Sequence, residues 1–393
     1  MKKFKLAIYT MHPIQYHAPI FCKLAKEVDF DTTVLYADTL GLDEEYIPEF
    51  NTVIKWDVPL LDGYNYLFFK NYTTKRLSGF FSRINPGMFT HLLAKRYDAV
   101  LIHGYQTFSA WLVFFAAKLA GTKVIVRGEA IPKKGKRSWK SRFASRVAQF
   151  YLAFSDAVMY SCTGNKEYWK EMAVLEKKMF FFPCAVDNAF FRRERTHHLP
   201  RRNKMREDLG IYSDDFVVLF SARFTDRKRP LDLIEAVATI NHEKIVLLFV
   251  GEGPKRDAME KLVSQHGIRA VFTGFVNQGE LARYYTLADI FVVISSYDAS
   301  PKALNEAMNF SIPVISSDQV GTARDLVHEG KNGFVVNVGD QEAIAKGINL
   351  CNLNREKSCQ MGKVSANIVA SWSIENNVKG LHEAVRYVLR SKG

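Results

Sequence analysis

Two carboxylates, Asp298 and Glu306, stand eight positions apart in the stretch SSYDASPKALNEAMNFSIPVISSD from Ser295 to Asp318. A strand-like run ends at Ile294, and a polar loop then carries Asp298. A helix is expected to begin near Pro301 or Lys302, because proline suits a first helical turn. Glu306 would lie about one turn (roughly 3.6 residues) inside that helix, with Asp298 just before it. The backbone N–H groups of Ser300, Lys302 and Ala303 would point out of the helix start, where anions and hydroxyls bind, while Pro301 has no N–H to give. Two acids there could accept hydrogen bonds from sugar and ribose hydroxyls. Taken alone, the plainer reading is a helix-capping aspartate and a solvated glutamate.

A complementary pair of cations lies upstream. Arg223 and Lys228, in Ser221-Ala-Arg-Phe-Thr-Asp-Arg-Lys, follow a strand-like run and precede a helical one. An arginine fork and a lysine ammonium at such a junction suit diphosphate oxygens.

The two segments together resemble the retaining glycosyltransferase family 4 (glycosyl transferases group 1), whose fold is called GT-B. The family's E-x7-E signature is matched in spacing, with Glu306-Ala307-Met308 intact and Asp298 at the first acid. Lys302 stands at the usual Asn, Ser311 at the usual Gly, and Arg229 at the Gly that usually follows the lysine. Other matches follow in family order. Val250-Gly251-Glu-Gly253-Pro254 is similar to a G-x-G-P turn, and Val271–Val276 resembles the turn that reads the nucleotide base through Phe275 and Val276. Phe182–Asp187, Gly321–Glu329, Asn332–Phe334 and Trp372 also have family counterparts, so the resemblance covers about residues 155–390 well. It implies that Arg223 and Lys228 hold the donor diphosphate and that Glu306 holds the ribose. Gly253, Phe275, Val276, Ser300, Lys302 and Ala303 complete the expected donor site, and Asp298 contacts the reacting sugar.

The first 150 residues are less telling. The loop Met11-His12-Pro-Ile-Gln-Tyr-His17 follows the first strand, so His12 and His17 are candidates for acceptor or phosphate contact. His103 resembles the family's cleft histidine. The next loop, where the family commonly offers a histidine, reads Arg127-Gly128-Glu129, so Glu129 or Arg127 is expected to take that place. The catalytic candidates are therefore Asp298, His103 and Glu129.

These side chains need a scaffold of alternating strands and helices. Apolar runs at Lys5–Thr10, Thr32–Tyr36, Ala99–His103, Lys123–Arg127 and Ala157–Ser161 predict buried strands in the first half. Phe216–Ser221, Lys244–Val250, Ala270–Thr273, Ile290–Ile294 and Pro313–Ser316 do so in the second. The predicted class is α/β: two facing Rossmann-like domains with parallel sheets and a C-terminal crossover helix. Residues 1–195 would form the acceptor-binding domain and 196–370 the nucleotide-sugar domain, with 371–393 packing back toward the first. The boundary is placed at Arg192–Arg206, which is polar and lacks apolar periodicity. Tyr64–Phe69 and Phe80-Phe81 suit either a core or the same surface as the basic stretch Lys133–Arg146, with core the first reading.

The net charge is +13, with 48% hydrophobic residues. Residues 1–195 hold 29 Lys and Arg against 18 Asp and Glu, whereas the rest is nearly balanced. That asymmetry attracts something anionic. The basic stretch Lys133–Arg146, with Trp139 and Phe143, suits an amphipathic helix on an anionic membrane surface or a solvated basic face beside the cleft. Five cysteines without a C-x-x-C pair argue against a disulfide framework or zinc site. The apolar run Phe108–Ala117 is shorter than the roughly 18 residues a membrane span needs. No secretion signal is apparent, so a cytoplasmic protein, peripheral on the inner face of the membrane, is expected. No nucleic-acid module is readable.

The expected activity is retaining, metal-independent transfer (EC 2.4, hexosyl or N-acetylhexosaminyl). The donor would be a nucleoside-diphosphate sugar, UDP ahead of GDP, and the acceptor a glycan or lipid-linked saccharide of surface polysaccharide biosynthesis. No cofactor is expected. The alternatives are a sugar-nucleotide epimerase of the same fold and a nucleic-acid-binding protein.

Overall fold

The structure is a computed structural model that describes residues 3–42, 44–47, 52–54, 56–73, 79–132, 139–240 and 243–390. The chain divides into two compact units: Met1–Glu45, Val58–Pro183 and Ile374–Gly393 in one, Tyr46–Asp57 and Cys184–Ser373 in the other.

The first unit is built on a seven-stranded sheet. Its strands are β1 (Phe4–Thr10), β2 (Phe30–Tyr36), β5 (Asn65–Phe68), β6 (Ala99–His103), β7 (Lys123–Arg127), β8 (Ala157–Tyr160) and β9 (Met179–Phe181), in the order β5-β2-β1-β6-β7-β8-β9. The short strands β3 (Glu45–Ile47) and β4 (Thr52–Ile54) form a separate pair. Every pairing in the large sheet is parallel. Parallel sheets are covered on both faces, so their strands read as continuous Val, Ile and Leu runs. The helix Phe108–Leu119 packs on one face with Val100, Ile102 and Val124. The C-terminal helix Ile374–Arg390 packs on the other, burying Val378, Leu381, Val385 and Val388 among Leu6, Ile8 and Leu101.

The second unit repeats the design with six parallel strands. They are β10 (Phe216–Ser221), β11 (Ile245–Val250), β12 (Arg269–Phe272), β13 (Ile290–Val293), β14 (Val314–Ser317) and β15 (Gly333–Val336), in the order β12-β11-β10-β13-β14-β15. In both sheets the winding reverses once, between β1 and β6 and between β10 and β13. Ligands of such sheets bind beyond the strands' carboxyl ends at that reversal.

Two expectations need correction. Arg192–Arg206 is not a linker: the helices Asn188–His198 and Arg202–Glu207 run through it. Polar contacts hold them where apolar periodicity is missing. Asp187 caps the first helix by accepting from the Phe190 N–H, and Arg192 and Arg195 donate to Asn309 Oδ1 and the Phe310 carbonyl. The second compact unit begins earlier, at Cys184. Nor are Tyr66, Leu67 and Phe68 core: they form the edge strand β5, which pairs only with β2, and they are exposed, as are Phe80 and Phe81.

Candidate functional site

In the second unit, the loops leaving β10 and β13 converge. The chain after Ser221 passes Arg223, buries Phe224 as a plug, and turns through Asp226–Lys228 into the helix Pro230–Ala238. Lys228 makes an ion pair with Asp298 in the loop after β13, and Arg227 Nη1 lies 3.5 Å from the same carboxylate. Backbone bonds fix the two loops together: Ser296 N–H donates to the Arg227 carbonyl at 2.8 Å, and Arg227 Nη1 donates to the Tyr297 carbonyl at 2.9 Å.

Asp298 does not cap the following helix. Pro301 occupies the cap position before Lys302–Asn309, with no side-chain cap bond. Asp298 is instead locked by its own backbone, whose N–H donates to the Gln319 carbonyl while its carbonyl accepts from Gly321. Ser300, just before the helix, is buried, and its hydroxyl has no hydrogen-bond partner among the described residues. An orphaned buried hydroxyl costs free energy and needs an explanation, such as a group absent from the structure. Glu306 is not solvated either: it is buried at 1% exposure and accepts a 2.8 Å hydrogen bond from the Tyr285 hydroxyl.

The turn after β11 requires its glycines. A Cβ on Gly251 would stand 2.1 Å from the Ala222 carbonyl oxygen, and one on Gly253 2.6 Å from that of Phe224. Both take positive φ, which glycine adopts without penalty. This close approach sets the β11 turn against the β10 loop that carries Arg223. Phe275 and Val276 follow β12 and are half-buried. Phe275 has an aromatic neighbour that sequence reasoning missed: Trp56, with ring centroids 6.5 Å apart. Beside it, Asp57 accepts from the Gly279 N–H at 2.9 Å, at the start of the helix Gln278–Leu287. Lys302 and Ala303 occupy the first turn of their helix, as expected.

In the first unit, the carboxyl ends of β1, β6 and β7 bring together His17, His103, Arg127 and Glu129. The His17 and His103 rings lie 4.8 Å apart, edge to face. Arg127 pairs with Glu129 at 2.8 Å, and its guanidinium lies over the Phe182 ring. His103 is buried, and neither of its ring nitrogens has a hydrogen-bond partner among the described residues. Burial, then the neighbouring His17 and Arg127, hold its pKa well below the ordinary histidine value, with Glu129 pulling weakly the other way. It is therefore a neutral imidazole at pH 7 with hydrogen-bonding capacity unused. His12 sits in the same loop as His17, but its Nδ1 contacts the Pro13 carbonyl.

The basic stretch lies partly outside the described residues, since 133–138 are not among them. The helix Trp139–Ala153 that follows leaves Trp139, Phe143 and Phe150 exposed, as is Phe154 just beyond it. No helix among the described residues is long and apolar enough to cross a membrane, and none of their side chains cluster as a metal site.

The glycosyl transferases group 1 family matches residues 201–367. Alpha-monoglucosyldiacylglycerol synthase of Acholeplasma laidlawii is 31% identical over 142 residues, covering 35% of this chain and 35% of that protein. A Campylobacter jejuni alpha-1,4-N-acetyl-D-galactosaminyltransferase, named for a diNAcBac-PP-undecaprenol-linked acceptor, is 28% identical over 212 residues, covering 53% of each. The matched stretch thus spans well under two thirds of either relative. HepE of Anabaena, solved in complex with UDP and glucose, superposes with a TM-score of 0.73 at 17% identity, over 98% of this chain and 99% of that one. The chain therefore has the GT-B fold, and its residues 201–367 belong to the glycosyl transferases group 1 family.

Proposed function

We propose that the protein is a retaining glycosyltransferase that moves a sugar from a nucleoside-diphosphate sugar to a lipid-linked or free glycan, in surface polysaccharide biosynthesis. The observation that carries this reading is the convergence of Arg223, Lys228, Asp298 and the unsatisfied Ser300 hydroxyl at one sheet reversal, inside the family-matched residues. Departure of a nucleoside diphosphate leaves two negative phosphates. Arg223 and Lys228 neutralise that charge in place of a metal ion, as preorganised donors do for developing anions. Asp298 accepts from a sugar hydroxyl and positions the anomeric carbon. Glu306, held by Tyr285, receives the ribose hydroxyls, and the base lies against Phe275 and Val276.

UDP is the first choice of carrier, in keeping with the UDP and glucose in the HepE complex. A lipid-linked acceptor accords with the undecaprenol in the Campylobacter relative's name and with the basic first half of the chain. Neutral His103 and Glu129 serve the acceptor hydroxyl, with His12 and His17 beside them. The stretch Lys133–Arg146 and the exposed aromatics of Trp139–Ala153 rest on an anionic membrane surface at the cytoplasmic face.

A thermal-shift screen across UDP-, GDP-, ADP- and TDP-sugars tests the reading, because a ligand of the native state alone raises its stability. A selective rise with one carrier, followed by chelator-resistant transfer, is expected. Absence of any rise, or release of epimerised sugar nucleotide without an acceptor, would overturn it.

A further inference from the structure

The opposite end of the second sheet carries a different cluster. At the amino ends of β10, β13 and β14, where Phe216, Asp289 and Pro313 sit, a cleft of about 520 Å³ opens. The donor-side loops leave the carboxyl ends of the same strands, four to six residues away, or roughly 13–20 Å at about 3.3 Å per residue. The two places are separate.

Four arginines line the cleft: Arg195, Arg202, Arg206 and Arg355. Their charge is not balanced. Asp289 alone answers three of them, pairing with Arg202 at 2.7 Å, Arg206 at 2.8 Å and Arg355 at 3.5 Å. The other two lining carboxylates are already taken, Asp214 by Lys244 at 2.5 Å and Asp215 by Arg269 at 2.7 Å. Arg195 donates through Nε to the Phe310 carbonyl at 3.1 Å and has no carboxylate partner among the described residues. The roles also differ. Arg206 is fully buried and holds the Leu287 carbonyl, so it is structural. Arg355 is exposed, and its guanidinium covers the buried Phe216 ring at 4.4 Å.

We propose that this cleft binds a phosphorylated small organic anion, of the size of a sugar phosphate or mononucleotide, independently of the donor. The volume falls in the range of small-molecule sites, about 300–1,000 Å³. Guanidinium forks match phosphate oxygens in pairs. Arg195 and Arg355 take the phosphate.

Glucose 6-phosphate is the probe, titrated calorimetrically into the full chain at constant ionic strength. The chain carries Arg223→Ala and Lys228→Ala to disable the donor-side cations. Cys359 lines the cleft and is exposed, so in a Cys22→Ser background its alkylation by a maleimide reports occupancy in place. One binding site is expected to persist in the Arg223→Ala, Lys228→Ala chain and to slow Cys359 alkylation. Arg195→Ala and Arg355→Ala should each weaken it roughly ten- to a hundredfold, the loss typical of a charge-assisted contact, with circular dichroism showing the fold retained. Glucose should neither bind nor protect. The proposal is overturned if glucose 6-phosphate does not bind, if binding disappears with Arg223 and Lys228, or if it survives loss of Arg195 and Arg355.

Discussion

The ammonium of Lys228 and the carboxylate of Asp298 form an ion pair that ties the loop after β10 to the loop after β13, with both side chains largely shielded from solvent. A cation and an anion assigned to different parts of one donor thus neutralise each other in the free chain. On the proposed reading, a diphosphate arriving at Lys228 would compete with Asp298 and so release that carboxylate toward the sugar.

Removal of either donor-side cation follows from this arrangement. Lys228→Ala and Arg223→Ala should each weaken binding of UDP or the matching diphosphate about ten- to a hundredfold, as loss of a charge-assisted hydrogen bond does. Calorimetric titration reads the change. Parental affinity in both variants would take them out of the site.

Asp298 and Glu306 should separate kinetically. Glu306 is anchored by Tyr285 within a helix, so Glu306→Gln should raise donor KM with little change in kcat, the mark of lost uniform binding. Tyr285→Phe should move KM the same way but less, by roughly fivefold for one neutral hydrogen bond of about 1 kcal/mol. Asp298→Asn should lower kcat instead, because contacts to the reacting sugar strengthen in the transition state. Steady-state kinetics decides this, and unchanged kcat and KM for Asp298→Asn would confine its role to pairing with Lys228.

Acid should expose the cost of a buried neutral histidine. His103 has a folded pKa below its unfolded value, so the unfolded chain takes up the proton first. The stability contributed by neutral His103 is complete above about pH 6.5 and is lost as pH falls below that value toward the folded pKa. The slope is at most about 1.4 kcal/mol per pH unit. Chemical denaturation of the parent and of His103→Asn at pH 7 and pH 5 should therefore show a smaller acid loss in the variant. Equal losses would mean that His103 is readily protonated in the native state.

Membrane attachment is tested by charge removal. Replacing the Lys and Arg residues of 133–146 with Gln should release the protein from anionic vesicles, at about 1 kcal/mol for each basic residue near the surface. Sedimentation with phosphatidylglycerol vesicles measures it, and undiminished binding would assign the stretch another purpose.

Continuous apolar runs made most of the fold legible: Ala99–His103, Lys123–Arg127 and Phe216–Ser221 are strands with the ends read from sequence. β9 is only three residues long, too short to carry a pattern, and β15 opens on a glycine that reads as a turn. Local motifs placed Arg223, Lys228 and Asp298 between a strand and the helix after it, and Glu306 inside such a helix. The partners that hold them were not legible. Tyr285 reaches Glu306 from another helix, and Asp57 meets Gly279 across 222 positions. Two departures from the family pattern became intelligible only with backbone angles. Arg229 and Ser311, each standing where a glycine is usual, both have φ of +57°, so the left-handed turns persist after the glycines are gone. Such a turn costs a side-chain-bearing residue about 1–2 kcal/mol.

The helix Ile374–Arg390 belongs to the first unit, although all of the chain from Cys184 to Ser373 is made before it. It lies so close to β9 that a Cβ on Gly380 would fall 1.7 Å from the Phe181 carbonyl oxygen. The half of the protein synthesised first is therefore the last to be finished. While the second unit has every strand it needs, the first emerges from the ribosome with one face of its sheet covered only in part, by the helix Ala18–Ala25. Leu6, Ile8 and Leu101 must wait for Leu381 and Val385. A nascent chain halted before residue 374 should consequently hold a protease-resistant second unit and a first unit that depends on chaperones, a vectorial order set by where one helix sits in the sequence.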